Sequence, residues 1–576
     1  MKQLRQMSIL VRGAQLLLLV LALFLVVWLV PDAGKKHASG TEASEASEAE
    51  TDGGDVAENE KNRAAGNLEE DESSAGEVIQ DDADENASDG ETALKRRTSR
   101  KQLYKRKKEP QKAQEETVYM PPTIWLATDL HYQSPQMTDF QSAFDTYTMG
   151  NDGTIVPYLD EITEAFLEEV RTAHPSALVL SGDLSQNGEK ANHEALAEKL
   201  ERVQAAGIPV LVIPGNHDIN HPWAATYFDD QVSPAEGTSS EEFYQIYHKF
   251  GYDQAVSRAS DSLSYVYRLD EKYWLMMLDS CMCEPVHETG GKLSEETVAW
   301  MKTQLEEAKK QGVTVIPVSH HNLLDESTLY PEECTIENTK EVTALLEAYG
   351  VPVYLSGHLH LQRIKKHTSN LNTPGGYGIR EIVTSPLPMA PCQYSILNWQ
   401  TDGSLSYHTK KVDIAGWAQR YGEEDENLLN FDAYADQFLV DVISKQAFKA
   451  LQSASKDIKE EMARLYADMN RDYCSGTKID VAKIRKSEAY QYWIRYSGND
   501  FWLARLQAIL HDARTDNTVL ELKAGVDFPL PGETIENPEN AEKEETVGAD
   551  AGSPAEEIQK KEESYGLRGN CIQTAE

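Results

Sequence analysis

The chain has 576 residues, several times the length of a typical domain, and its 55 basic and 95 acidic residues give a net charge of −40. Residues 113–531 alone carry 34 basic and 62 acidic side chains, and so acidic a surface disfavours a protein that wraps DNA or RNA in a basic groove. Six cysteines in a chain of this length do not form the dense disulfide framework of a small secreted domain.

The amino-terminal residues 1–31 are predicted to form a membrane anchor. A basic leader ends at Arg12, and the uncharged stretch from Gly13 to Val30 follows it. A helix of that length rises about 27 Å, close to the roughly 30 Å hydrocarbon core of a bilayer. The basic leader predicts a single-pass protein in which the folded part of the chain after residue 117 lies outside the cell. A cleaved signal peptide, which would make the protein secreted, is the alternative.

Residues 32–117 are predicted to be a disordered linker, first acidic and then basic. From Thr41 to Thr92 there are nineteen acidic and two basic residues, and from Ala93 to Lys112 there are one acidic and ten basic residues. Such compositions cannot bury enough apolar surface to offset the entropy of ordering. The same reasoning predicts a disordered acidic tail over residues 529–576.

From Tyr119 onward short apolar runs alternate with amphipathic stretches, which is the pattern of strands interleaved with helices. Strands are predicted at 123–128, 177–181, 209–213, 273–278, 313–318 and 351–356. Helices are predicted at 162–172, 192–206, 294–310 and 339–349. These elements predict a layered α/β domain over residues 118–413, with its functional residues on loops that leave the carboxyl ends of strands.

Residue types that bind metals follow five of the predicted strands. The five loops carry Asp129 and His131; Asp183; Asn216, His217 and Asp218; His320 and His321; and His358 and His360. Each loop alone is weak evidence, because Asp and Asn often cap helices and isolated histidines are more often structural. Together they bring carboxylate, imidazole and amide donors to one edge of a sheet. This mixture favours borderline divalent metals over calcium or magnesium.

These motifs resemble those of the calcineurin-like metallophosphoesterase superfamily, and the likeness spans about Tyr119 to Asp413. Asp-x-His, Gly-Asp, Gly-Asn-His-Asp, His and Gly-His-x-His occur in the order of that family. The stretch from Tyr273 to Ser280 and the later Gly291 to Ser294 are similar to class III cyclic-nucleotide phosphodiesterases. Asn187-Gly188-Glu189 with His193, and Ile219-Asn220, resemble residues of a bacterial secreted or surface-held subgroup. The resemblance implies a metallophosphoesterase β-sandwich flanked by helices, with an α-helical domain at residues 414–528.

Carried over residue by residue, the family pattern implies two metal ions, which in this superfamily are manganese, iron or zinc. The implied ligands are Asp129, His131, Asp183 and His360 for one ion, and Asp183, Asn216, His320 and His358 for the other. Asp183 would bridge the ions, since two cations about 3.5–4 Å apart need a shared anion. Asn322 replaces the proline that the family usually has, so His321 stays open as an alternative ligand to His320.

The implied reaction is hydrolysis of a phosphodiester by a hydroxide that bridges the two metals. His217, next to the ligand Asn216, is the candidate proton donor to the leaving oxygen. Asp218 is expected to hold the His217 imidazole in its donating tautomer. The predicted substrate is a small phosphodiester or nucleotide, with 3′,5′-cyclic nucleotides first, and no polymeric nucleic acid is expected as a partner.

The remaining predicted domain is helical, because 3.6-residue periodicity replaces the strands from Ile414 to Leu522. It is expected to pack on the catalytic domain as a bundle, with helices over 428–451, 458–473 and 479–496. Two other functions stay open for the whole chain. One is a different phosphoesterase: a 2′,3′-cyclic nucleotidase, a phosphomonoesterase, or an enzyme of wall or lipid phosphoesters. The other is a non-catalytic surface binding module.

Overall fold

The computed structural model describes residues 119–324, 333–367, 377–451, 453–497 and 501–529. The predicted anchor, the predicted linker and the tail after residue 529 lie outside these ranges. Among the described residues no helix is both long enough and apolar enough to cross a bilayer. The predicted membrane span, Gly13 to Val30, lies outside the described residues and stays a prediction.

The described residues contain seventeen strands. In chain order they are β1 (Thr123–Ala127), β2 (Ala177–Ser181), β3 (Val210–Ile213), β4 (Ala225–Phe228), β5 (Gln231–Pro234), β6 (Ser257–Arg258), β7 (Tyr265–Arg268), β8 (Tyr273–Leu278), β9 (Cys281–Met282), β10 (Glu288–Gly291), β11 (Thr314–Ser319), β12 (Val353–Ser356), β13 (Arg363–Lys366), β14 (Arg380–Val383), β15 (Gln393–Trp399), β16 (Leu405–Lys411) and β17 (Val519–Leu522).

Fifteen helices accompany these strands in the described part of the chain. They are the α-helices Ser142–Gly150, Leu159–Ala173, Lys190–Ala205, Ser240–Tyr247, Glu295–Gln311, Thr339–Ala348, Ile414–Tyr421, Glu426–Leu429, Phe431–Ala450, Lys456–Cys474, Val481–Lys486, Glu488–Tyr496 and Phe501–Asp512, and the single-turn 3-10 helices Pro135–Met137 and Val156–Tyr158.

Two large sheets form the centre of the catalytic domain. The first has the order β17-β16-β15-β1-β2-β3 and the second the order β13-β14-β12-β11-β8-β7-β6. One apolar core contains residues of both sheets, and the rings of Tyr273 in β8 and Trp399 in β15 lie 5.1 Å apart. The sheets therefore pack face to face as a sandwich.

Helices cover the outer faces of this sandwich. Leu159–Ala173 and Lys190–Ala205 contribute apolar residues to the core shared by the two sheets, and Glu295–Gln311 and Thr339–Ala348 form a second core against β8, β11 and β12. Burial on both faces explains why β2 and β8 are continuous apolar runs rather than alternating ones. The predicted fold class, a layered α/β sandwich flanked by helices and followed by a helical domain, is confirmed.

The carboxyl-terminal region departs from the expectation that strands stop after Ile414. β17 returns to the first sheet and pairs antiparallel with β16, with Leu405 opposite Leu522 and His408 opposite Val519. Without β17, β16 would be the open edge of the first sheet. β17 is now the edge strand, and edge strands can be short. The helical region is therefore an insertion between two adjacent strands.

Two of the predicted helices in that region are each split in two. The predicted 428–451 helix breaks at Asn430, and the predicted 479–496 helix breaks at Ser487. The Ser487 hydroxyl accepts a hydrogen bond from the backbone N–H of Tyr490, so it caps the second of the two helices. Periodicity alone missed this break, because a capping serine interrupts the backbone without interrupting the apolar pattern.

Candidate metal centre and active site

The candidate ligand loops leave their strands in an uncommon backbone conformation. The φ angles are +48° at Asp129, +43° at His131, +49° at Asp183, +70° at His358 and +52° at His360. A non-glycine residue in the left-handed region costs about 1–3 kcal/mol, so it persists only where the surrounding structure holds it. Such strain concentrated at the ends of β1, β2 and β12 marks a functional site.

The first predicted ligand set is brought together. Each residue of this set offers one ligand atom, and the four atoms all lie within 4.8 Å of one another; the residues are Asp129, His131, Asp183 and His360. His131 Nε2 is 3.1 Å from His360 Nε2 and 3.7 Å from Asp183 Oδ2, and His360 Nε2 is 3.4 Å from Asp129 Oδ1. His360 is partly exposed, whereas the other three side chains are buried.

The second predicted set lies on the other side of Asp183. His320 Nε2 is 3.2 Å from Asp183 Oδ2, 3.2 Å from His358 Nδ1 and 3.0 Å from Asn216 Oδ1. Asp183, His320 and His358 form a second group of possible ligand atoms within 4.8 Å of one another. The Oδ2 atom of Asp183 therefore faces both groups, which is the arrangement that a bridging carboxylate requires.

The protonation states and the unpaired polar atom of this site are compatible with the binding of two cations. Burial lowers the pKa of His131 to about 4 and the pKa of His358 well below its usual value, so both imidazoles are neutral and have a lone pair to offer. His131 Nδ1 is buried without a hydrogen-bond partner among the described residues. Burial acts against charge on Asp183, yet the neighbouring His320 outweighs it and holds the carboxyl pKa well below normal. A buried carboxylate beside the neutral imidazoles of His131 and His358 is a set of ligands that attracts metal ions.

His217 lies beside the first ligand group. Its ring meets the His131 ring edge-on at 5.0 Å, and its backbone N–H donates to Asp183 Oδ1 at 2.8 Å. Its Nδ1 is 3.0 Å from the carbonyl oxygen of Gln186 and 3.0 Å from Asn187 Oδ1. Both partners are acceptors, so Nδ1 carries a proton and donates it. Nε2 is then the nitrogen left for chemistry.

The predicted role of Asp218 is wrong. Its carboxylate accepts hydrogen bonds from the backbone N–H groups of Leu184 at 3.1 Å, Ser185 at 2.9 Å and Gly215 at 2.8 Å, and it does not orient His217. The side chain turns into the interior and ties the Asp183 loop to the loop after β3. The backbone carbonyl of Gln186 accepts the hydrogen bond from His217 Nδ1 that was predicted for Asp218. No sequence motif reveals a backbone partner of this kind.

The neighbouring histidines on the loop after β11 have different environments. His320 is part of the second ligand group, whereas both ring nitrogens of His321 are engaged elsewhere. Ser280 Oγ lies 2.9 Å from His321 Nδ1, and His321 Nε2 donates to the carbonyl oxygen of Thr289 at 2.9 Å. His321 packs against the His358 ring at 4.5 Å, so it supports a ligand rather than taking its place.

Asp152 is a functional candidate that the sequence reasoning missed. Its Oδ2 makes a close contact with His360 Nδ1, on the opposite side of the ring from Asp129. Burial acts against charge on His360, but Asp152 and Asp129 outweigh it and raise the imidazole pKa well above normal. A carboxylate behind a metal-binding histidine fixes its orientation and makes it a better ligand. Asp152 belongs to a polar turn far from every motif, so no local pattern singles it out.

The loop that carries Asp152 rests on the helical region. Gln446 Nε2, on the helix Phe431–Ala450, donates to the carbonyl oxygen of Asn151 at 2.7 Å. Gly153 has a φ of +106°, and a Cβ added there would lie 3.0 Å from the side chain of Leu439 on the same helix. The helical region therefore reaches the candidate metal centre through one short loop.

Comparison with known proteins adds family matches to this geometry. Residues 122–362 match the calcineurin-like phosphoesterase family, and residues 413–516 match the C-terminal domain of cyclic nucleotide phosphodiesterase. The chain is 24% identical over 203 residues to the 3′,5′-cyclic adenosine monophosphate phosphodiesterase CpdA of Escherichia coli strain K12, a match that covers 35% of this chain and 60% of that protein. A probable cyclic nucleotide phosphodiesterase of Xenorhabdus bovienii is 19% identical over 192 residues, covering 33% of this chain and 64% of that protein.

The chain thus spans less than two thirds of the length of these relatives. Among solved structures, a dimetal phosphatase from Danio rerio is 14% identical with a TM-score of 0.38, covering 51% of this chain and 97% of that one. The purple acid phosphatase PPD1 of yellow lupin is also 14% identical, with a TM-score of 0.34 and coverage of 50% and 51%. The chain thus contains a domain that matches the calcineurin-like phosphoesterase family, followed by a region that matches the C-terminal domain of cyclic nucleotide phosphodiesterase.

Proposed function

We propose that this protein is a phosphodiesterase with two metal ions that hydrolyses small phosphodiesters, and that 3′,5′-cyclic nucleotides are its substrates. The observation that carries this proposal is the position of Asp183 Oδ2, 3.7 Å from His131 Nε2 and 3.2 Å from His320 Nε2, between two groups of ligand atoms. Two cations held there would supply Lewis-acid stabilisation of the phosphate oxygens and a nucleophile at neutral pH. The match of residues 413–516 supports the choice of a cyclic nucleotide.

The chain itself supplies a proton donor to the leaving oxygen, and His217 is the candidate. Its Nδ1 proton is held by the Gln186 carbonyl, so the ring is oriented, and in the imidazolium form Nε2 carries the second proton, which can pass to the leaving oxygen. Burial lowers the pKa of this imidazole, which makes its protonated form a stronger acid. A sugar alkoxide is a poor leaving group, so this proton matters most for nucleotide substrates.

One panel of substrates tests the proposal. The purified protein, loaded in turn with manganese, iron or zinc, is assayed with cyclic AMP and cyclic GMP, 2′,3′-cyclic AMP, AMP, bis(p-nitrophenyl) phosphate and duplex DNA. We expect the 3′,5′-cyclic nucleotides to be cleaved best and duplex DNA to be resistant, because the acidic surface repels a long phosphate backbone. Efficient cleavage of another ester with no cleavage of cyclic AMP or GMP would overturn the substrate choice. Bound metals with no hydrolysis of any ester would favour a binding module.

We also propose that the catalytic domain is held outside the cell by the span from Gly13 to Val30. The uncharged length of this segment and its basic leader support the proposal. Protease added to intact cells should cut the acidic linker and release an active fragment. Resistance until the cells are lysed would contradict this orientation.

A further inference from the structure

A cavity of about 510 Å³ lies beside the candidate metal centre, and His221, Trp223 and His287 line part of it. His287 Nε2 donates to the backbone carbonyl of the predicted ligand Asn216 at 2.6 Å. The His221 ring stacks on the ring of His217, with centroids 4.6 Å apart. Two residues of the cavity lining therefore contact the proton-donor candidate His217 and the predicted ligand Asn216. Its volume is in the range of small-molecule sites.

His221 offers this cavity a hydrogen-bond donor that has no partner. The side chain is only 5% exposed, and its Nδ1 accepts the backbone N–H of Trp223 at 3.4 Å. Its Nε2 is buried without a hydrogen-bond partner among the described residues. Burial, with His217 and His287 nearby, holds the His221 pKa well below its usual value, so the ring is neutral and its single proton is on Nε2. A buried donor left unpaired is costly, which indicates an acceptor from a ligand.

Trp223 offers the same cavity an aromatic surface. Its side chain is 57% exposed, and its ring meets the His221 ring edge-on at 5.5 Å. His287 meets His221 edge-on at 4.7 Å from another side. The base of a nucleotide can stack on a ring exposed in this way, whatever the identity of the base.

The charge of the cavity wall restricts what can bind. The described residues that line it include Glu288, Glu333 and Glu337 but no lysine or arginine. Glu337 is paired with Lys292 at 2.8 Å, but three lining carboxylates against no lining lysine or arginine leave the wall acidic. Such a wall repels a second phosphate and suits a neutral group that carries N–H donors. Adenine, guanine and cytosine carry such donors on an exocyclic amino group, whereas uracil has only its ring N3–H.

We infer that this cavity holds the nucleobase of the substrate, with Trp223 stacking on the base, His221 Nε2 donating to a ring nitrogen, and a wall carboxylate accepting from the exocyclic amino group. The inference rests on the proposed function, because it places a base beside the phosphate that the metal ligands would hold. It adds a selectivity that the metal centre cannot supply, since that centre contacts only the phosphate. Adenine, guanine and cytosine nucleotides are therefore preferred over uracil nucleotides.

Binding of a nucleoside tests the base site independently of hydrolysis, because a nucleoside has no phosphate for the metal centre to hold. Calorimetry with the purified full-length protein compares adenosine and uridine, neither of which has a phosphate. We expect adenosine to bind more tightly, and we expect Trp223→Ala to weaken it by roughly tenfold or more, as for loss of a stacking ring. His221→Phe, which keeps a ring against His217 but removes the donor, should also weaken adenosine. Tyr421→Ala, at another exposed aromatic residue, is the matched control and should leave binding unchanged.

Kinetics on two esters complete the test. The ratio of kcat/KM for cyclic AMP to that for methyl p-nitrophenyl phosphate, which has no base, should fall at least roughly tenfold in Trp223→Ala. Equal binding of adenosine and uridine, together with an unchanged ratio in both cavity variants, would overturn the inference even if cyclic AMP is hydrolysed. Adenosine binding that depends on Trp223, in a metal-loaded protein that hydrolyses no ester, would support the cavity and overturn the proposed activity.

Discussion

The strand-end loops and the helical insertion differ in backbone conformation and in buried charge. Five candidate ligands in the loops have left-handed backbone, and buried carboxylates lie beside buried imidazoles. Between residues 414 and 512, by contrast, no non-glycine residue that the structure describes has a positive φ. Helices there begin at ordinary caps such as Asp480 and Ser487, and Trp493 is fully buried with its indole N–H donating to the carbonyl of Met462 at 2.8 Å. Strain and charge collect where chemistry is proposed, and the insertion supplies relaxed packing around it.

The two regions meet at the turn that carries Asp152. This turn presents a carboxylate to His360 on one side and is held by Gln446 on the other. If the contrast between the regions is right, the effect of a substitution on turnover or metal affinity should decrease step by step from the ligands to the helix. Four substitutions measure that gradient.

The largest effect is expected for Asp183→Asn, which weakens both ligand groups at once. Bound metal should fall from two ions per chain to fewer than one, and turnover should fall by more than about 10⁴-fold, beyond the usual loss of a general acid. Elemental analysis and initial rates measure the two quantities. Asp145→Asn, at an exposed carboxylate, is the control. A variant that keeps two metals and normal rates would disprove the bridging position.

Next in size is His217→Ala. Turnover of cyclic nucleotides should fall by about 10²- to 10⁴-fold, as for loss of a general acid, while bound metal stays unchanged. Aryl phosphodiesters should lose much less, because their leaving groups depart without a proton. The measurement is the ratio of the wild-type rate to the variant rate for each of the two kinds of ester, together with the metal content of both proteins. An equal loss on both kinds of ester with normal metal content would remove the proton-donor role.

A smaller effect is expected for Asp152→Asn, because this residue acts through His360. Metal affinity should fall by about 10- to 100-fold, the usual consequence of removing a carboxylate behind a ligating histidine. Titration of the purified protein with the metal detects the change without any assay of turnover. Unchanged metal affinity would leave Asp152 as a simple ion-pair partner and would separate the insertion from the metal centre.

The smallest effect is expected for Gln446→Ala, which removes one hydrogen bond to the Asp152 turn. Loss of a neutral hydrogen bond lowers the free energy of unfolding by about 0.5–1.5 kcal/mol, and metal affinity should fall less than in Asp152→Asn. Gln437→Ala on the same helix is the control. Gln437 is exposed, and its side chain donates to Asp441 Oδ1 at 2.6 Å, within the helix. Equal effects of both substitutions on metal affinity would mean that the helix does not position the turn.

The sequence by itself determined which residues reach the metal centre. His358 follows β12 of the second sheet, so its place at the site depends on how the two sheets pack, and the prediction of a single sheet edge is wrong for it. Asp129 and Asp183 follow β1 and β2, parallel neighbours in the first sheet, so their convergence follows from local apolar runs. The same locality made the helices of the insertion predictable.

Only the tertiary structure decided the partners of these residues. Asp218 is adjacent to His217 in sequence, yet its side chain turns away to bind backbone N–H groups of another loop. Asp152 meets His360 across 208 positions of sequence. Likewise β17 is a strand because β16 offers it an open edge. Local patterns specify which backbone forms, but the direction of a side chain and the choice of its partner depend on what folding brings to the other side of it.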